Sequence, residues 1–569
     1  MLKGDFTENM GRVFIIYTGG CLCFAGLLAV LSWMGVADST IGVGFIALTV
    51  AFYALMGVLA RSGAADDSVA GRRVPALYNG MASAADWMSA ASFIGMAGAI
   101  YAAGYDGLAF ILGWTGGYIL VAVLLAPYLR KFGQHTVPDF LSARYGGRSA
   151  RLAGTAVLMA ASFAYVVGQL YGTGIIASRF LGLDFRLAVF VGLGGILLCS
   201  LLGGIRALIW TQVAQYIVVI AAYLLPLVLM SVHETGIPLP QLTYGMALQH
   251  AAEIGRQLGL SDGLSPGDRL NFFALVLCLM LGTASLPHVL TRYFMTPSVR
   301  DARVSVAWSL LFIILLYISA PAYAAFAKLA IYQNVLSAGL DHLPAWADAW
   351  SKVGLVSVAN GHFTIDPDAI VLATPEIAGL PFVVAGLVAA GGLAAAMSSA
   401  DGLLQSIGNA LSHDVYFRLL APKAGPERRR ALTRLAVVVA GVLAAFVAST
   451  RPAGILTLVG WAFSLAASGL FSALVLGIWW KRATKQGAVL GMLCGLGVCL
   501  FYILATRWGG MPLWFGVKNI AAGLFGLPAS LAVTVVVSLL TPPPSQEMQD
   551  FIDSIRVPRG QVRPTPPGN

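Results

Sequence analysis

The sequence predicts an all-α polytopic membrane protein of about fourteen transmembrane helices, and three observations carry that reading. The chain is 58% hydrophobic and only 11% charged, where soluble domains are about a quarter charged. Apolar stretches of up to or beyond the ~20 residues that span a bilayer recur along its whole length. Lys and Arg then gather in alternate loops, the bias that fixes membrane orientation.

Taken in order, the first two spans fall near 13–34 and 41–60. The first invites comparison with a signal peptide, because Gly35-Val36-Ala37 resembles a small-x-small cleavage site. Its apolar core of about 22 residues exceeds the usual ~7–15, and Asp5 and Glu8 interrupt a basic leader, so a retained helix is expected. Five spans follow, near 78–102, 108–129, 152–177, 187–202 and 208–232. Another five lie near 270–289, 304–327, 383–411, 435–448 and 455–480. A final pair occupies 487–504 and 521–540, before a short Pro-rich tail.

One set of loops carries Arg61, Arg72, Arg73, Arg130, Lys131, Arg144, Arg148 and Arg151. The same side holds Arg292, Arg300, Arg303, Arg428, Arg429, Arg430, Arg434, Lys481, Arg482 and Lys485. Roughly 26 of the 35 basic residues fall there, which predicts that both termini are cytoplasmic. The longest loop, from Lys328 to about Leu380, lies opposite and carries Asp341, Asp348, Asp366, Asp368 and Glu376. The net charge of +10 therefore reflects topology and implies no nucleic acid; contact with anionic lipid is the modest further reading. All six cysteines sit inside expected spans without metal-ligand spacing, so packing is their expected role. Abundant Arg, Ala and Gly fit a GC-rich bacterial genome, and hence a bacterial inner membrane.

Chemistry in a bilayer sits where a helix opens, because an unpaired backbone group survives only in a protected or hydrated place. Two spans look breakable. One reads Ala84-Ala85-Asp86-Trp87-Met88-Ser89-Ala90-Ala91-Ser92-Phe93, the other Leu281-Gly282-Thr283-Ala284-Ser285-Leu286-Pro287-His288. Small residues, Gly and Pro also serve plain helix packing. These two segments, however, lie five spans apart, the spacing of inverted repeats whose broken helices meet at the membrane midplane. In the tenth span Ala395, Ser398 and Ser399 stand at i, i+3 and i+4 and so share one face. Two hydroxyls and a carbonyl make half of an alkali-cation shell, although such serines also bond back to their own helix. Asp86 and Asp401 are the carboxylates expected well inside spans, where a charge is costly and functional by default.

Several ordered motifs resemble the sodium/solute symporter family, from about Ile41 to Leu540. Asp86-Trp87-Met88-Ser89-Ala90-Ala91-Ser92-Phe93 and Gly104-Tyr105-Asp106-Gly107-Leu108 resemble its cation/acetate branch, as do Gly282-Thr283-Ala284-Ser285-Leu286-Pro287-His288, Arg292-Tyr293-Phe294 and Ser412-His413-Asp414-Val415-Tyr416. The resemblance implies a leucine-transporter-like core of two inverted five-helix repeats, here spans three to seven and eight to twelve. It implies a sodium site made by Ala85, Met88, Ala395, Ser398 and Ser399. Sugar and proline members carry Asp after a Trp-Thr pair; here Gln212 follows Trp210-Thr211, and Ser92 replaces a larger sugar-binding side chain. Both changes argue against sugar. The Ser398-Ser399 pair and Asp401 depart from the acetate branch and fit a neighbouring bacterial one, some of whose members work with a small two-helix membrane subunit.

The expected function is sodium-coupled import of a small monocarboxylate such as acetate, lactate or pyruvate, received beside Ser92, Thr283, Ser285 and His288 and met by helix dipoles. Asp86, Asp401 and Gln212 are candidates for coupling. An amino acid or other organic solute is the rival cargo. A transporter-fold sensor is the rival class, disfavoured by a tail too short for a kinase. No His/Asp/Glu cluster at an interface has catalytic spacing, so an enzyme is not expected. The expected organisation is two leading helices in 1–70, the core in 71–480, two trailing helices in 481–540 and the tail in 541–569.

Overall fold

The computed structural model describes residues 10–59, 74–132, 136–202, 205–258, 268–294, 299–338, 345–359, 362–421, 423 and 425–556. Arg61, Arg72, Arg73, Asp341, the side chains of Arg292, Tyr293 and Phe294, and the end of the tail lie outside the description. Among the described residues, twelve helical stretches are long and apolar enough to cross a membrane. One of them, Ala91–Phe132, runs through parts of the third and fourth expected spans, and the eighth is represented by the shorter Arg269–Thr283.

The leading helices are α1 (Met10–Trp33) and α2 (Asp38–Leu59). The third span is broken into α3 (Ala76–Trp87), a wide turn at 91–95 and α4 (Met96–Ala103). At Gly104 the backbone takes φ +57°, which glycine tolerates, and the chain reverses into α5 (Leu108–Leu120) and α6 (Ala126–Phe132). Gly107 must also be glycine: a Cβ there would lie 2.6 Å from Ile100 Cα. Asp106 in this turn accepts from the Asp268 amide, where the second repeat begins. Next come α7 (Val137–Tyr145), the 35-residue α8 (Gly147–Leu181), α9 (Phe185–Leu202) and α10 (Ile205–Thr235).

Hydropathy gave no sign of α11 (Pro240–Gln257), whose outward face is polar and whose inward face buries Ala247 and Ala251. The second broken span is α12 (Arg269–Thr283) followed by α13 (Pro287–Phe294). Then come α14 (Val299–Tyr317) and α15 (Ala320–Ala338). The long acidic loop folds into α16 (Ala345–Lys352), an antiparallel hairpin of β1 (Val356–Ala359) and β2 (His362–Ile365), and α17 (Ile370–Ile377). After it stand α18 (Phe382–Asn409), α19 (Pro426–Ser449), α20 (Ile455–Ala466), α21 (Ser472–Trp479), α22 (Lys485–Arg507) and α23 (Gly523–Leu540). Helix α19 begins well before its apolar run, because Arg428–Arg434 form its first turns at the polar edge.

The tail is not all extended: α24 (Gln546–Arg556) buries Phe551, Ile552 and Ile555 against α6 and α21. Its alternation of acidic and apolar residues gives one sticky face that a Pro-rich reading conceals.

Helices α8 and α18 form the centre, packed on each other and on α20 and α10, while α1 lies mostly exposed at the edge. Along α22, Gly487, Gly491 and Gly495 meet Ser530, Thr534 and Ser538 of α23 so closely that any Cβ would collide. That spacing of small residues lets two membrane helices touch backbone to backbone.

Candidate functional site

The first break is where the sequence places it. Trp87 ends α3, and Met88 leaves the helical region (φ −76°, ψ 66°). The Ser89 amide turns back to Trp87 O (2.9 Å), and the Ala90 amide is satisfied by Gln169 Oε1 of α8 (2.9 Å). A buried side-chain amide thus replaces the lost helical acceptor.

Across the break lies α18. Ser398 Oγ is within hydrogen-bond reach of Ala85 O (2.7 Å) and of Ala395 O (2.9 Å), and Ser399 Oγ donates to Asp86 O (2.6 Å). Gln212 of α10 donates to Ser398 O (2.9 Å) and reaches Asp86 Oδ1 at 3.4 Å. Ala85, Asp86, Gln212, Ala395, Ser398 and Ser399 therefore converge, all buried, on one seam between α3, α10 and α18. Met88 stands in the break beside them. Gly402 lets α18 approach: a Cβ there would be 2.8 Å from Asp86 Oδ1. Asp401 is buried on the same helix with Ser200 of α9 beside it, and its Oδ1 has no hydrogen-bond partner.

The second break spans 284–286. Thr283 is fully buried with its hydroxyl unpartnered, while Ser285 Oγ donates to its own helix at Leu281 O (2.7 Å). His288 opens α13 with its ring 5.7 Å from that of Tyr165 on α8. Gly282 and Gly117 let α12 meet α20 and α5 at backbone distance, with a Cβ at Gly282 only 2.4 Å from Phe463 O. Ser92 lies just beyond the first break, its hydroxyl facing Trp87 O and Ser89 O, each 3.2 Å away. The protons of Ser92 and Ser285 are thus engaged by backbone carbonyls.

Sequence reasoning missed Gln169 and the aromatic set around the break, namely Trp114, Tyr165, Tyr317 and Phe463. A signal was present: Trp and Tyr favour membrane interfaces, yet Trp114 and Tyr317 fall mid-span.

The Ser412-His413-Asp414 motif forms a separate polar knot. Arg151 Nη1 bridges Asp139 Oδ1 (2.6 Å) and Asp414 Oδ1 (2.8 Å), with Thr136 Oγ1 donating to Asp414 and His413 Nε2 3.4 Å from Asp139 Oδ2. Burial raises the Asp139 carboxyl, but His413 and Arg151 outweigh it and hold the group well below the usual carboxylate range. With a guanidinium already between its carboxylates, the knot is a tie between helix ends rather than a cation site.

The sodium:solute symporter family profile matches residues 68–495. An uncharacterized symporter of Cupriavidus necator is 42% identical, over 95% of this chain and 97% of its own length. Among solved structures, a substrate-bound, outward-open Na+-coupled sialic acid symporter superposes with a TM-score of 0.68 at 21% identity, covering 89% of this chain and 99% of that one. The fold is that of leucine-transporter-like sodium symporters, and the protein is a transporter, with sodium as its coupling ion. With two opened helices facing one another and a profile match across the whole core, the chain belongs to the sodium:solute symporter family.

Proposed function

We propose that this symporter imports a small monocarboxylate of the acetate, lactate or pyruvate type across a bacterial inner membrane, with both termini cytoplasmic. The observation that carries the reading is the seam at the first break, where two hydroxyls of α18 close on carbonyls of α3. Sodium bound by Ala85, Met88, Ala395, Ser398 and Ser399 would replace these hydrogen bonds with ion contacts: the hydroxyl protons turn away and the oxygens take the cation. Binding then orders the break from which the substrate site is built. Ser92, Thr283, Ser285 and His288 flank that site. The absence of a sugar-type Asp at Gln212 supports a cargo other than sugar.

Each sodium moved contributes ~2.3 kcal/mol per 100 mV of membrane potential. One sodium with one monoanion is electrically silent, so voltage drives accumulation only if a second cation enters. Asp401, buried with a free carboxyl oxygen, is the candidate that would hold it. A small two-helix subunit is the proposed partner, and an adjoining reading frame for such a peptide would support it.

The test is uptake of radiolabelled acetate into proteoliposomes with and without an inward sodium gradient, competed by unlabelled pyruvate, lactate and proline. Sodium-stimulated uptake blocked by monocarboxylates is the expected result. Block by proline alone would assign an amino acid instead, and no uptake even with the small peptide co-expressed would end the monocarboxylate reading.

A further inference from the structure

Around the first break four rings close a circuit. Trp87 of α3 meets Phe463 of α20 (centroids 6.2 Å), Phe463 meets Trp114 of α5 (5.9 Å), and Trp114 meets Tyr317 of α14 (6.1 Å). Tyr317 closes the ring by standing beside Trp87 and Ser92. Tyr118 and Tyr165 pack outside it, against Trp87 and Phe463 at 5.6 and 5.7 Å. The members come from four helices of both repeats.

Trp87, Trp114 and Tyr317 are each at most 4% exposed, and Trp87 Nε1, Trp114 Nε1 and the Tyr317 hydroxyl have no hydrogen-bond partner. Buried donors are nearly always satisfied in native proteins, so three unmet ones around a single point mark a place for something that accepts. An indole N–H only donates. A ligand suited to such a set carries lone pairs and no ammonium. A carboxylate fits: it is acceptor-only and flat, and can lie between aromatic faces. No guanidinium is at hand, since the buried arginines among the described residues, Arg130, Arg144 and Arg151, all sit near helix ends. The balancing charge would come from sodium, whose proposed ligands Ala85 and Met88 flank Trp87 in the same turn. Asp86, the carboxylate nearest in sequence, faces the other way, onto Gln212 and Gly402.

We propose that Trp87 Nε1, Trp114 Nε1 and the Tyr317 hydroxyl receive the substrate carboxylate, and that Trp114 and Tyr317 set the preference for short monocarboxylates over zwitterions and polyols. This rests on the monocarboxylate reading and moves its anchor. Ser92 and Ser285 have their protons committed to backbone carbonyls, so they shape the site rather than hold the anion. The rings of Phe463 and Tyr118 bound the space for the tail, which favours short ones.

The experiment measures sodium-driven uptake of acetate and pyruvate by Trp114→Phe and Tyr317→Phe, each of which keeps an aromatic ring and loses one donor. KM is expected to rise roughly tenfold or more in each, the worth of a hydrogen bond to a charged group, with kcat less affected. Sodium-induced thermal stabilisation of each purified variant reports a folded protein with an intact cation site, and it should be retained. Two variants on different helices keep the test decisive if one fails to fold. Wild-type uptake with KM unchanged in the variants would overturn the trio and return the anchor to Thr283 and His288. A wild-type protein that moves no monocarboxylate would instead overturn the reading beneath it.

Discussion

Ser398 and Ser399 are where single atoms decide the coupling. Replacing both by alanine removes two oxygens from the proposed shell and leaves the Ala85 and Asp86 carbonyls facing methyl groups. The double variant is expected to need a much higher sodium concentration for half-maximal uptake; an unchanged sodium titration would remove these hydroxyls from the site. Asp401→Asn keeps the volume and discards the charge, so the number of cations moved per anion should fall, as read from uptake at imposed membrane voltages. Unaltered coupling would return Asp401 to a packing role. Asp368, in the loop ahead of α17, accepts from the Ile455 amide at the start of α20 (3.0 Å). Burial, with Asp366 beside it, pushes its carboxyl from the usual 3.8 up to about 7. A carboxyl that holds its proton more tightly when folded stabilises the fold fully below pH ~4 and loses that contribution as pH rises through about 7. Tm of the purified protein should therefore fall between about pH 5 and 8 on this account, and the Asp368→Asn variant should show a flatter profile.

At the scale of the element, the broken helices were legible because their composition and their five-span separation point the same way. Ala85, Ser398 and Ser399 could be named for the same reason: a helix face follows directly from i, i+3 and i+4 spacing. The donors of the ring circuit were not legible, since nothing local says that Trp87, Trp114 and Tyr317, from three helices, share a point. Gln169 was hidden likewise, as its partner is a backbone amide 79 residues away in sequence. Hydropathy also passed over α11 and α24, whose amphipathic faces average to polar. The loop at 366–369 seats directly on α4, where a Cβ at Gly98 would lie 1.9 Å from Pro367 O. Gly98→Ala should force loop and helix apart and lower both Tm and uptake, whereas the same change at Gly194, with open space around it, should leave both unchanged.

For the molecule as a whole, two ties join distant parts at the basic face. Arg151 holds Asp139 and Asp414, 263 residues from one partner in sequence. Arg151→Ala strands two buried carboxylates, and breaking such a pair costs ~3–5 kcal/mol, readable as a lower Tm. The other tie is α24, fixed by Phe551 on Phe132 (5.1 Å), by the Lys481–Asp553 pair and by Arg556 donating to Ile478 O (2.7 Å). Neither tie crosses the α3–α18 seam, which is closed by hydrogen bonds an ion can exchange. The glycine contacts between α22 and α23 are of the opposite kind, with no room for sliding and nothing for a cation to displace. That pair is a built-in reference frame. Spin labels placed on its outer faces should keep a constant separation when sodium is added, so any change measured from them to α3 reads the motion of the transport core itself.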